Sequence, residues 1–239
     1  MAGDSALAQY SRRLKFLVAF RPGVLSPTLA AQQVSTYQRF TGNRLALNVV
    51  TGGDGLEMRR YGDNIDKSAR YRRTGEFLAV VRGIWTDPDF SYRGDFYTIE
   101  HARMAYPLEV TPTIYFGGSS PEAIEVAAQY ADVYLTWAET PDQVAEKTER
   151  VRVAAARHGC TLRFGLRLHT VARPTDEEAW RRAVGSYATV AAVLKQYAQL
   201  GISEFILSGY PQSEEIRQVG QGVLPLFTAD AEGFRALAG

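Results

Sequence analysis

Thr111-Pro-Thr-Ile-Tyr-Phe-Gly-Gly-Ser-Ser-Pro-Glu122 carries a β-strand straight into the start of an α-helix. Residues 111–118 read as a β-rich strand closed by two glycines. Ser120 then stands where a helix N-cap accepts a backbone N–H, and Pro121 occupies the first helical position, where the missing N–H is no loss. The same construction recurs on both sides. A strand at 133–137 is followed by Thr140-Pro141-Asp142, and a strand at 14–20 by Ser26-Pro27-Thr28, opening a helix to about residue 40. Strand 44–50 precedes a helix at 68–85, strand 162–171 a helical stretch over 175–200, and strand 204–208 a last helix at about 213–226. Residues 89–99, with aromatic side chains around Arg93-Gly94-Asp95, read as a hairpin excursion.

Six βα units in succession predict a parallel sheet, either a (β/α)₈ barrel or a doubly wound open sheet. A doubly wound nucleotide-binding fold would carry Gly-x-Gly-x-x-Gly after its first strand. Phe20-Arg21-Pro22-Gly23 has no such pattern, which favours the barrel. Six strands do not close an eight-stranded barrel: two strands are missing at the beginning, or the sheet is open, or another chain completes it. The last two cases leave an unpaired edge, so a homo-oligomer is expected.

Composition sets the class. With 239 residues and 46% hydrophobic content the chain can bury a large core, and one domain over 1–239 is expected. Lys and Arg total 27 against 26 Asp and Glu, so no field favours nucleic acid or an anionic membrane. Cys160, the single cysteine, excludes an internal disulfide. No apolar run nears the ~20 residues of a membrane span, and residues 1–13 lack a signal-peptide pattern, so a soluble cytoplasmic protein is expected.

In such a barrel the polar residues at strand C-termini carry the chemistry. In Arg163-Phe-Gly-Leu-Arg-Leu-His-Thr-Val-Ala-Arg173, a period of two puts Phe164, Leu166 and Leu168 on one face and Arg167 and His169 on the other. That second face pairs an anion-holding guanidinium with an imidazole. Strand 44–50 runs through Asn48 into Thr51-Gly52-Gly53-Asp54, and the quoted stretch ends in Gly117-Gly118-Ser119-Ser120. Glycines admit a close ligand and a helix N-terminus offers free amides, so both loops suit a phosphate. Tyr71, Trp137 and, in Ser208-Gly209-Tyr210-Pro211, Tyr210 also fall near strand ends. His158-Gly159-Cys160 falls at the opposite, stabilising face, and His101 has no partner in sequence. No His/Cys/Asp/Glu cluster has metal-ligand spacing, and no strand-end lysine offers a Schiff base.

Six segments in this order resemble the bacterial luciferase-like flavin monooxygenases, and within them the FMNH₂-dependent alkanesulfonate monooxygenases. They are Phe16-Leu-Val-Ala-Phe-Arg-Pro-Gly23, Asn48-Val-Val-Thr-Gly-Gly-Asp54, Tyr115-Phe-Gly-Gly-Ser-Ser120, Tyr134-Leu-Thr-Trp137, Phe164-Gly-Leu-Arg-Leu-His169 and Leu207-Ser-Gly-Tyr-Pro211. The resemblance implies a two-component system: a separate NAD(P)H-dependent reductase supplies reduced FMN, which activates O₂ to convert an alkanesulfonate into sulfite and an aldehyde. It also implies Ser119, Ser120 and Thr51 as phosphate contacts, and Asn48 and Tyr71 as further flavin contacts. Trp137 is a candidate for lining the cofactor pocket. Arg167, His169 and Tyr210 resemble the groups acting on the sulfonate and the activated oxygen. The match starts just before the family's third strand, without the histidine, cysteine and glutamate of the first two. Residues 175–200 replace a long insertion with a mobile lid and a further arginine, and Lys67 stands where the family tends to have histidine. A shortened barrel that binds flavin without turnover is the alternative. A sugar-phosphate isomerase ranks last, for want of an acid/base carboxylate pair.

Overall fold

A computed structural model describes residues 7–180 and 185–228. They fall into two compact units, one of residues up to 134 with 151–162, the other of 135–150 with those from 163 onward.

The first unit runs β1 (Phe16–Phe20), α1 (Pro27–Thr41), β2 (Leu45–Val49), α2 (Gly55–Arg60), α3 (Lys67–Thr86), a hairpin of β3 (Phe90–Arg93) and β4 (Thr98–Ala102), β5 (Thr113–Gly117), α4 (Pro121–Tyr130) and the start of β6 (Val133–Trp137). Its strands lie in the order β1-β2-β5-β6. The pairing is parallel, with Phe16 against Leu45 and Ala46 against Thr113. Alternation decides which residues turn inward: Phe16, Val18 and Phe20 are buried while Leu17 and Ala19 are exposed. Phe20 meets Phe77 of α3 at 5.9 Å between ring centroids, and Ile114, Phe116 and Val133 are fully buried. Ser26 and Ser120 cap their helices through side-chain oxygens, as their sequence signals predict, and Asp66 caps α3 in the same way. The excursion at 89–99 is the antiparallel β3–β4 hairpin, tied to α3 by Glu76, whose carboxylate accepts the N–H groups of Asp95, Phe96 and Tyr97.

The second unit takes up the rest of β6 and most of α5 (Pro141–Arg157). It continues through β7 (Arg163–His169), β8 (Ala172–Arg173), α6 (Asp176–Trp180), β9 (Gly185–Ser186), α7 (Tyr187–Gln199), β10 (Ile202–Ser208), α8 (Gln212–Gln218), a π-helical turn (Val219–Val223) and α9 (Leu224–Thr228). Its sheet order is β6-β7-β10, again parallel where β7 meets β10. A cluster of Ala172, Val190, Ala191, Leu194, Val219, Val223 and Phe227 forms its core.

Three expectations need correction. The continuous helix over 175–200 is broken, because Gly185 and Ser186 are extended and Ser186 caps a new helix. Asp176 fixes the break by accepting from Ser186 N–H and from the Thr189 hydroxyl. The last helix contains a π-turn, in which Gly222 lies against Tyr187: a Cβ there would stand 2.5 Å from the ring. Finally, α2 has no counterpart in the sequence reading. Asp54, which reads as the end of a glycine loop, caps it by accepting from Leu56 N–H at 2.7 Å.

Candidate active site

Each sequence-predicted residue lies on a strand, just after one, or, for Tyr71, on a helix facing a strand-end loop. They form two groups, one in each unit.

In the first unit the group centres on the loop after β5. Tyr71, in the second turn of α3, sets its ring edge-on to Phe116 at 6.4 Å between centroids. Its hydroxyl lies against Gly118, where a Cβ would stand 3.1 Å from that oxygen and 2.6 Å from Ala123 Cβ. With φ at +149° as well, only glycine serves there. Tyr134 donates to the Gly118 carbonyl at 2.8 Å, which pins the loop. The Ser120 hydroxyl accepts from Ala123 N–H at 3.3 Å and also bonds the Tyr71 phenol. Burial pushes that phenol above its ordinary range, partly offset by the Ser120 bond, so Tyr71 keeps its proton at neutral pH. Ser119 is exposed.

The donors at this helix start already hold an oxyanion. Glu122, in the first turn of α4, has its carboxyl held below the ordinary range first by its own backbone N–H, then by the Ser120 and Ser68 hydroxyls and the Lys67 ammonium. A phosphate oxygen asks for the same donors. The carboxylate is fully exposed and can swing away, so the residues present fit a flavin phosphate that displaces it.

Thr51 is placed differently from a phosphate contact. It is buried, with its hydroxyl 3.2 Å from that of Thr74. The Thr74 hydroxyl also lies 2.8 Å from the Arg70 carbonyl; with that bond made, Thr51 gives its own proton to Thr74 and has none for an incoming anion. Asn48, half-buried on β2, pairs in register with Ala19 and Tyr115, on the strand face opposite the buried Leu47 and Val49.

In the second unit, three predicted residues come together. Phe164 and Leu166 are buried, while Arg167 and His169 are exposed on the other face of β7. The Arg167 guanidinium lies 4.6 Å above the ring of Trp137, and the same ring meets His169 at 5.8 Å between centroids, tilted 36°. Backbone pairing fixes their level, since Ala138 N–H donates to the Arg167 carbonyl at 2.9 Å. Among the described residues no carboxylate pairs with Arg167. The guanidinium is therefore held by a ring face and retains its N–H groups for an anion. Tyr210 is 80% exposed in the turn after β10, and no hydrogen bond or ring contact among the described residues joins it to Arg167, Trp137 or His169.

Sequence reading missed two residues. Ser208, the last of β10, pairs in register with His169 and brings its hydroxyl to 2.9 Å from Nδ1; only the strand register reveals this. Glu215, on α8, forms a buried ion pair with Arg173 and supports the turn that carries Tyr210. Its Oε1 accepts from Arg173 Nη1 at 2.7 Å, and its Oε2 from Ala172 N–H at 3.2 Å. In sequence, Arg173 marks only the end of a strand-bearing stretch.

Parallel βα units with polar residues at their strand ends define an α/β fold of the barrel class. The chain matches the luciferase-like monooxygenase family over residues 4–223 and belongs to it. Solved structures share the fold at low identity. Riboflavin lyase RcaE, with modified FMN and riboflavin, has a TM-score of 0.88 at 15% identity, over 97% of this chain and 74% of that one. EDTA monooxygenase EmoA from Chelativorans sp. BNC1 has 0.85 at 14%, over 98% and 77%. Long-chain alkane monooxygenase LadA has 0.84 at 17%, over 94% and 71%. An F420-dependent secondary alcohol dehydrogenase in complex with an F420-acetone adduct matches at 0.79 and 18%, over 95% and 83%. No described helix is long and apolar enough to cross a membrane.

Proposed function

We propose that this protein is an FMN-dependent two-component monooxygenase acting on a small alkanesulfonate, with reduced FMN supplied by a separate NAD(P)H-dependent reductase. The overall change takes alkanesulfonate, O₂ and reduced FMN to an aldehyde, sulfite with one proton, oxidised FMN and water. One observation carries the anionic substrate: Arg167, stacked on Trp137 with no carboxylate partner among the described residues, is a positive charge left available at the end of a strand. Relatives of this fold act on substrates as different as alkanes and EDTA, so this charge is the feature that favours a sulfonate here.

Reduced flavin, when bound, supplies the electrons that activate O₂. The Ser119, Ser120 and Tyr71 hydroxyls would hold its phosphate, with the Glu122 carboxylate displaced. Arg167 would neutralise sulfonate oxygens by charge-assisted N–H donation. His169 would give or take a proton at Nε2, since Nδ1 is engaged by Ser208. The Tyr210 phenol would donate a hydrogen bond to the same substrate.

Arg167→Ala tests this reading. Sulfonate-dependent sulfite release is expected to fall at least about 10–150-fold, since a charge-assisted contact to substrate contributes roughly 1.5–3 kcal/mol or more, while flavin affinity stays within about twofold because the proposed phosphate contacts do not include Arg167. Unaltered sulfite release removes Arg167 from the reaction. Flavin binding with no sulfite from the unaltered chain establishes the second reading, a flavin-binding barrel without turnover. We also propose self-association at the β1 edge, where Leu17 is 39% exposed; sedimentation as a monomer at micromolar concentration overturns that.

A further inference from the structure

We propose that Ser208 is a positioning residue that selects the tautomer of His169 and follows it through protonation. The strand register places the Ser208 hydroxyl 2.9 Å from His169 Nδ1 and 3.5 Å from the Leu168 carbonyl oxygen. A hydroxyl has one proton and a neutral imidazole has one N–H and one lone-pair nitrogen, so the possible arrangements are few. When the hydroxyl donates to Nδ1, the imidazole carries its proton on Nε2. When Nδ1 carries the proton, the hydroxyl accepts it and places its own proton on the Leu168 carbonyl, at the outer limit of a hydrogen bond, or on solvent. The 2.9 Å contact, shorter than the 3.5 Å alternative, favours the Nε2–H form of the neutral ring.

The second acceptor gives the pair a further property. In the imidazolium both ring nitrogens are donors; Nδ1–H then donates to Ser208 Oγ and the hydroxyl rotates onto Leu168. Neither state leaves Nδ1 unpaired. A carboxylate in the same place could only accept, and would favour the Nδ1–H tautomer and the charged ring. The surroundings limit other adjustments. Thr170 N–H donates to the Ser208 carbonyl at 2.7 Å, and a Cβ at Gly209 would stand 2.3 Å from the Thr170 carbonyl oxygen. The Trp137 ring lies against the imidazole. The groups facing His169 from neighbouring strands are uncharged, Trp137 of β6 and Ser208 of β10; the nearest charge on its own strand, the Arg167 guanidinium, lies over the same Trp137 ring. Any proton His169 exchanges thus passes through Nε2. Use of that proton in turnover rests on the function proposed above; the tautomer does not.

The chain has three histidines, so ¹⁵N resonances of the His169 ring can be assigned by difference against His169→Gln. In the unaltered chain the neutral ring is expected as a single Nε2–H tautomer. Ser208→Thr retains it, and Ser208→Ala yields a mixture. A proton on Nδ1 in the unaltered chain, or an unchanged pattern in Ser208→Ala, overturns the proposal. In sulfite release, Ser208→Ala is expected to lower kcat roughly tenfold or more with KM unchanged, and Ser208→Thr to restore it. An altered tautomer with unaltered kcat overturns the positioning role. No turnover in the unaltered chain would sink the monooxygenase reading instead, while the ring spectra still decide the tautomer.

Discussion

Removing the Glu215 carboxylate should destabilise the second unit severely, and removing both partners of its ion pair should cost much less. Arg173 and Glu215 are each 3% exposed by side chain. Glu215 Oε1 takes a proton from Arg173 Nη1 at 2.7 Å and Oε2 takes Ala172 N–H at 3.2 Å. Arg173 Nη1 also donates to the Ala172 carbonyl at 2.7 Å, but Nη2 has no hydrogen-bond partner, with Glu214 no nearer than 3.8 Å. Glu215→Ala therefore leaves the buried Arg173 with only the Ala172 carbonyl and the more distant Glu214. The expected loss is about 3–5 kcal/mol, the range for breaking a buried pair from one side, towards the upper end because Ala172 N–H is orphaned too. With a urea m-value of about 2.5 kcal/mol/M for a chain of this size, the midpoint falls by roughly 1.6–2 M. Arg173→Met is expected to cost a similar amount. The double variant Arg173→Met with Glu215→Leu should recover most of that loss and stay about 1–3 kcal/mol below the unaltered chain, since apolar replacement of a buried pair is often neutral but Ala172 N–H remains unpaired. The cycle then shows a coupling of several kcal/mol between the positions. A Glu215→Ala loss below about 1 kcal/mol, or additive single losses, refutes the reasoning. The pair also bears on the candidate site: Glu215 N–H donates to the Pro211 carbonyl, and Glu215 Cγ would stand 2.7 Å from a Cβ at Gly209. The turn carrying Tyr210 thus rests directly on it.

Glu122→Gln should raise affinity for FMN several-fold while leaving riboflavin affinity unchanged, because it removes the negative charge that a phosphate must displace from Ser120 and Ser68. Fluorescence titration with both flavins checks this, and equal changes in the two would show that the carboxylate does not compete for the phosphate position. Thr51→Val should leave FMN affinity unchanged within about twofold and lower stability by about 1 kcal/mol, since the Thr51 hydroxyl is buried and bonded to that of Thr74. A large loss of FMN affinity there would show that the hydroxyl turns towards the ligand.

The parts of the fold that are legible in sequence are those in which local chemistry and tertiary packing agree. Val133–Trp137 and the starts at Pro27, Pro121 and Pro141 fall where the sequence puts them, because an N-cap with proline behind it is decided by orphan N–H groups within one turn. The break at Gly185-Ser186 is not legible, because it depends on Asp176 reaching across ten residues to Ser186 N–H and helical propensity on both sides outweighs a single glycine. The same division holds within the candidate site. Period-two alternation suffices to put Arg167 and His169 on one face of β7. It cannot show that Trp137 lies beneath the guanidinium, nor that Ser208 stands opposite Nδ1, since both depend on which strand neighbours β7 and in what register. Thr51 shows the converse. Its place after β2 and before two glycines favours a phosphate contact, yet the next layer, Thr74 on α3, takes the proton such a contact needs. Sequence position states which side chains are near a strand end; whether a hydroxyl is available to a ligand depends on the hydrogen bonds it has already made, and those come from helices more than twenty residues away.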